Sequence, residues 1–93
     1  MKKVKNIKLV TYMQMKGEYE VQRNETSFEN LNQLKDYIKS CGGIKSFKWN
    51  DEKSECRYFI VGEYEENWGT EECFYEYKFG KYQWFDCNGY ALR

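Results

Sequence analysis

Residues 71–87, EECFYEYKFGKYQWFDC, hold seven of the chain's eighteen aromatic side chains, with Gly80-Lys81 near their middle. A glycine-led pair between alternating apolar residues is the pattern of two antiparallel strands joined by a tight mirror-type turn. With Gly80-Lys81 as that turn, Tyr77 is expected opposite Trp84, Phe79 opposite Tyr82 and Tyr75 opposite Asp86 on one face. Phe74 then opposes Cys87, Glu76 opposes Phe85 and Lys78 opposes Gln83 on the other. Aromatic rings therefore stand on both faces of a single hairpin. A strand that is apolar on both sides needs cover on both sides, and that need constrains the rest of the fold.

The preceding chain supplies limited cover. Residues 3–15 alternate, with Ile7, Leu9, Thr11, Met13 and Met15 on one face, which predicts a half-buried strand. Lys16-Gly17 turns into a second strand through Tyr19, Val21 and Arg23. Thr26-Ser27-Phe28-Glu29 then reads as a capping box, and Phe28, Leu31, Leu34, Ile38 and Cys41 follow at helical spacing. Gly42-Gly43 predicts a left-handed stop. Residues 44–49 and 55–64 predict a third and a fourth strand, and the aromatic hairpin makes the fifth and sixth. Asn88-Gly89 marks one more turn before a short tail. The expected fold is α+β, ordered ββαββββ, a mainly antiparallel twisted sheet with one helix on one face, and residues 1–93 make one domain. A helix of about fourteen residues is roughly 21 Å long and covers only part of such a sheet. In the fourth strand Tyr58, Ile60 and Tyr64 alternate with Phe59 and Val61, so both faces are apolar there too. The surplus is met by curling of the sheet, by a homodimer, or by a surface kept for another molecule.

Several classes of function are disfavoured by composition. The chain has no histidine, so the usual general base, the usual metal ligand and every Ser/His or Cys/His dyad are missing. Cys41, Cys56, Cys73 and Cys87 contain no C-x-x-C pair, and they read as small buried hydrophobes in a reducing compartment. Catalytic residues, metal and cofactor are expected to be none. No run approaches the ~20 apolar residues of a membrane span, and MKKVKNIKLV alternates instead of forming the apolar core of a secretory signal. The expected setting is soluble and cytoplasmic.

Net charge is zero, yet residues 1–50 carry ten Lys/Arg against five Asp/Glu, and residues 51–93 the reverse. Either one end of the molecule is acidic or strand pairing interleaves the signs. The acids gather at Glu63, Glu65, Glu66, Glu71, Glu72 and Glu76, with Tyr64 and Trp68 among them. Those eight residues are the candidate contact surface: carboxylates imitate phosphates in the basic groove of a nucleic-acid-handling protein, and aromatics add lasting affinity. In size, neutrality and tyrosine content the chain is similar to small phage or mobile-element inhibitors of host defence nucleases, which implies a non-enzymatic, counter-defence role. Direct single-strand binding ranks second, because aromatic sheets stack bases. Residues 57–64, RYFIVGEY, resemble the aromatic sheet motif of RNA-recognition domains, with the glycine displaced and Glu63 set to repel phosphate. A histidine-free ribonuclease would need a positive face, for which Lys45, Lys48 and Arg57 are the candidates. A structural homodimer is the remaining class.

Overall fold

The computed structural model describes residues 3–92. The elements run β1 (Lys5–Met15), β2 (Val21–Phe28), α1 (Leu31–Ser40), a 3₁₀ turn (Ile44–Phe47), β3 (Trp49–Asn50), β4 (Ser54–Glu66), β5 (Gly69–Lys78) and β6 (Lys81–Asp86). This is the expected α+β order, with its third strand cut to two residues. The sheet is antiparallel and open, ordered β2-β1-β4-β5-β6, with β3 pairing β4 off that path.

Alternation sets the two faces. Ile7 and Leu9 of β1 lie opposite Phe28 and Thr26 of β2, and Leu9 lies opposite Ile60 of β4. Leu34 of α1 closes over them to form a core of Ile7, Leu9, Leu34, Ile60, Tyr64, Cys73 and Trp84. We call this side the helix face and the opposite one the outer face. The outer face is thinner, though Val10 and Phe85 are buried there.

α1 begins four residues later than the sequence predicts. Thr26, Ser27 and Phe28 stay in β2, paired with Leu9, Lys8 and Ile7, because the ladder and the burial of Phe28 outweigh a local cap. Asn30 takes over as N-cap, its Oδ1 accepting from the Gln33 amide at 2.9 Å, while Gln33 Oε1 accepts from the Glu29 amide at 3.0 Å. The stop is as expected: Gly42 and Gly43 have φ of 101° and 93°, and their amides donate to Lys39 and Ile38 in a Schellman arrangement. Residues 44–47, expected in a strand, wind as a 3₁₀ turn instead. Ile44 and Phe47 are three apart and so share one side of that turn, and Phe47 stacks on Tyr37 at 6.3 Å.

The aromatic hairpin turns one residue earlier than its sequence suggests. Lys78 opposes Lys81, so Phe79-Gly80 is the two-residue turn, with φ of 57° and 84°. These values suit a type I′ turn, which needs positive φ at both positions. Each expected pair therefore slips by two residues: Tyr75 opposes Trp84, Tyr77 opposes Tyr82 and Phe74 opposes Phe85. A slip of two keeps every paired side chain on its expected face, whereas Phe79, expected opposite Tyr82, now lies in the turn and packs on Phe85 at 6.3 Å.

Gly62 anchors the middle of the sheet. A Cβ there would come within 2.4 Å of Val4 Cγ1 and 2.9 Å of the Trp84 ring. β1 bulges at the same level, since Lys5 opposes Glu63 while Lys8 opposes Val61. Asn6 absorbs the extra residue at φ 54°, a conformation that asparagine tolerates better than most residues.

Candidate interaction surface

Charge interleaves more than the sequence halves suggest, because basic β1 pairs with acidic β4. Lys5 Nζ meets Glu65 Oε1 at 2.5 Å, and Asn6 Nδ2 donates to Glu63 Oε2 at 2.9 Å. Lys5 and the Thr70 hydroxyl hold the Glu65 carboxyl below its usual range. Lys8 and Arg23 do the same for Glu25, at 2.8 and 2.6 Å.

The eight expected contact residues do not share one surface. Glu63, Glu65, Glu72 and Glu76 stand on the outer face, while Tyr64, Glu66 and Glu71 stand on the helix face. Trp68 occupies the β4–β5 turn at 74% exposure, its indole N–H donating to Glu71 Oε1 at 2.6 Å. Tyr64 is buried, so its ring belongs to the core. Burial first, then the charges of Asp86, Glu66 and Glu71, raises its hydroxyl pKa. Glu76 is tied to Lys78 at 3.0 Å. What remains is an acidic hairpin end with carboxylates on both sides of a ribbon. Glu63 and Glu72 lie directly opposite each other on it.

A second feature emerges from the pairing. β4 and β5 are joined from Glu66/Gly69 as far as Val61/Phe74 and then part. Beyond that point β5 continues with β6 alone, while β4 continues with β1 on one edge and meets β3 at Cys56 and Glu55 on the other. Residues 57–60 of β4 and 75–78 of β5 thus border a split in the sheet, with no strand paired to either edge among the described residues. The split encloses about 580 Å³. Tyr58, Ile60, Tyr75, Tyr77 and Tyr82 line it on the helix face, and Phe59, Phe74, Glu76 and Lys78 on the outer face.

The tyrosines are ordered by one another. Tyr82 stacks on Tyr75 at 5.4 Å and meets Tyr77 edge-on at 5.2 Å, and Tyr75 packs on Trp84 at 5.1 Å. Burial, with a hydroxyl contact to Tyr82, raises the Tyr58 pKa. Even so, Tyr77 is 62% exposed, Tyr82 47% and Phe59 41%. An adjoining groove of about 280 Å³ runs under α1 between Leu34, Ile38, Ile60, Tyr75 and Tyr82. Lysines edge this region: Lys35 and Lys39 from α1, Lys48 after the 3₁₀ turn, and Lys78 from β5. Lys35 Nζ sits 5.9 Å from the Tyr75 ring centre.

The sequence flagged the two-sided aromatics of β4 and β5. It did not reveal that the ladder opens between them, nor that four lysines from three parts of the chain edge the opening. The signal was present in residues 58–61, where apolar residues follow one another on both faces.

The remaining chemistry is sparse. All four cysteines are free, but only Cys56 and Cys73 are buried as expected, Cys41 after α1 and Cys87 after β6 being exposed. Burial followed by the charges of Glu72 and Glu63 pushes the Cys73 thiol up to about 12. Such a thiol is a poor nucleophile. No group of metal-ligating residues gathers among the described residues, and no helix among them is long and apolar enough to cross a membrane. Compared with protein-family models, curated proteins and solved structures, the chain gives no match.

Proposed function

We propose that this chain is a non-enzymatic binding protein that acts by occupying another protein, as an inhibitor or modulator of it. The observation that carries the reading is the split: the chain's own elements leave Phe59, Tyr77 and Tyr82 partly exposed at an opening they do not fill. Exposed tyrosine is well suited to contact, combining a large apolar ring with a polar tip. The acidic β4–β5 end supports a partner with a basic groove, Glu66, Glu71 and Glu72 guiding approach and Trp68 adding apolar contact. A nucleic-acid-handling enzyme has such a groove, and a phage or mobile-element inhibitor of a host nuclease is the finer form of this reading. The cytoplasm is its setting, in keeping with four free cysteines.

The stacked tyrosines beside Lys35 favour a second reading, a single-strand nucleic-acid binder. Two measurements separate the readings. The tagged chain is used to capture partners from host lysate at low and high salt, beside a Glu65→Lys, Glu66→Lys, Glu71→Lys, Glu72→Lys variant. The protein-binding reading expects one captured protein, with association slowed in the variant and by salt. Undiminished association of the variant removes the acidic end from the account. Anisotropy titration with an oligothymidine then decides the alternative: saturable, salt-sensitive binding without any captured protein replaces the first reading by the second.

A further inference from the structure

We propose that the split between β4 and β5 is a docking site for an extended, acidic segment of another protein, which enters it as an added strand. The inference rests on the protein-binding reading and names the form the partner's segment must take.

Three observations converge on that occupant. The first is the backbone. Residues 57–60 and 75–78 are extended, lie on two antiparallel strands and have no ladder partner on the edges that border the split. A polypeptide strand satisfies such edges with main-chain hydrogen bonds, whereas a nucleic acid offers no matching repeat of donors and acceptors. Because β4 and β5 are antiparallel, an entering strand runs parallel to one and antiparallel to the other.

The second is the lining. An added strand sends alternate side chains to opposite faces. Here both faces are aromatic, with Tyr58, Tyr77 and Tyr82 on one and Phe59 and Phe74 on the other. Apolar residues on either side of the guest strand therefore find a ring. This also accounts for Phe59, the one residue of the two-sided apolar run 58–61 that the chain leaves exposed.

The third is charge. Lys48, Arg57 and Lys78 border the split against a single carboxylate, Glu76, and Lys35 and Lys39 border the adjoining groove. Lys35 and Lys39 thus stand on the helix face, and Arg57, over the Tyr12 ring, and Lys78 on the outer face. Cations on both sides select a guest that carries acids beside its apolar residues. Glu76 is already matched by Lys78, which leaves the excess positive. The acidic end of a second copy of this chain satisfies the same charge rule, so self-association is one outcome the test must read.

The test uses the full chain and a fluorescein-labelled ten-residue peptide that alternates glutamate with valine or tyrosine. Saturable binding on the order of micromolar is expected. Methylating alternate backbone nitrogens of the peptide, replacing its glutamates by lysine, or introducing Arg57→Glu with Lys78→Glu should each weaken it by about tenfold or more. Both substituted residues are exposed, and an unchanged circular-dichroism spectrum checks the fold; Tyr77→Ala, also exposed, should weaken binding without touching charge. Equal binding of the methylated peptide overturns strand addition, as does wild-type binding of an oligothymidine that is tighter than that of the peptide and is lost in the same charge-reversed chain. Light scattering that shows a dimer blocking the peptide assigns the split to a second copy instead. If the charge-reversed chain still captures the host protein as well as wild type, this inference fails and the protein-binding reading stands. A wild-type chain that captures nothing removes the reading itself.

Discussion

Gly62 shows how one missing side chain organises this sheet. The space a Cβ would need is taken by Val4 and by the ring of Trp84, and Trp84 in turn packs on Tyr75 at the border of the split. Gly62→Ala should therefore destabilise the fold by ~1–3 kcal/mol, the usual range for overpacking, seen as a lower denaturant midpoint at unchanged slope. An unaltered midpoint would mean that Val4 and Trp84 move aside freely. Phe79 is the opposite case, a bulky residue where the turn needs positive φ. Holding it there costs roughly 1–2 kcal/mol relative to a residue at ease in that region. That is why residue preference alone pointed to Gly80-Lys81. The hairpin accepts the cost because turning at Phe79-Gly80 sets Phe74 against Phe85 and Tyr75 against Trp84.

At the scale of elements, local signals competed and tertiary pairing chose among them. Two capping patterns lie four residues apart, Thr26 with Glu29 and Asn30 with Gln33. β2 claims the first by pairing residues 26–28 with β1, so the second caps α1. Asn30→Ala should then cost about 1 kcal/mol, while Thr26→Ala, which removes no cap, should cost distinctly less. Thermal melts of both variants compare them, and the reverse order would restore the earlier helix start. The 3₁₀ turn at residues 44–47 reflects the same competition. A strand there would leave Phe47 without Tyr37, whereas the turn directs it toward α1. The β4–β5 split is also an element-scale result. Val61 and Phe74 end the shared ladder, and each strand then follows a different partner.

For the molecule as a whole, charge acts through exposed pairs between β1, β2 and β4. Glu25 and Glu65 are held low by Lys8, Arg23 and Lys5, and Asp51 by the amides of Ser54 and Lys53. A depressed carboxylate stabilises the fold above its unfolded pKa, and the contribution is lost as pH falls through the folded value. Lys5 and Lys8 are raised by Glu65 and Glu25, so their share holds below the unfolded lysine pKa and is lost as pH rises through the folded one. Tm should therefore be level around neutrality and fall in acid below the ordinary carboxylate range. High salt should shrink that fall, since exposed pairs are screened. A Tm indifferent to acid would remove these pairs from the account. Much of this fold was legible beforehand: the order of elements along the chain, the helix stripe of Leu31, Leu34 and Ile38, its glycine stop and the faces of the hairpin aromatics other than Phe79. Those features rest on period and local chemistry, which a linear chain carries in full. Long-range pairing decided the turn at Phe79, the cap at Asn30, the division of the acids between two faces, and the lysine-edged split. Each depends on which backbone edges meet, and residues far apart in the chain acquire that relation only when the sheet closes around them.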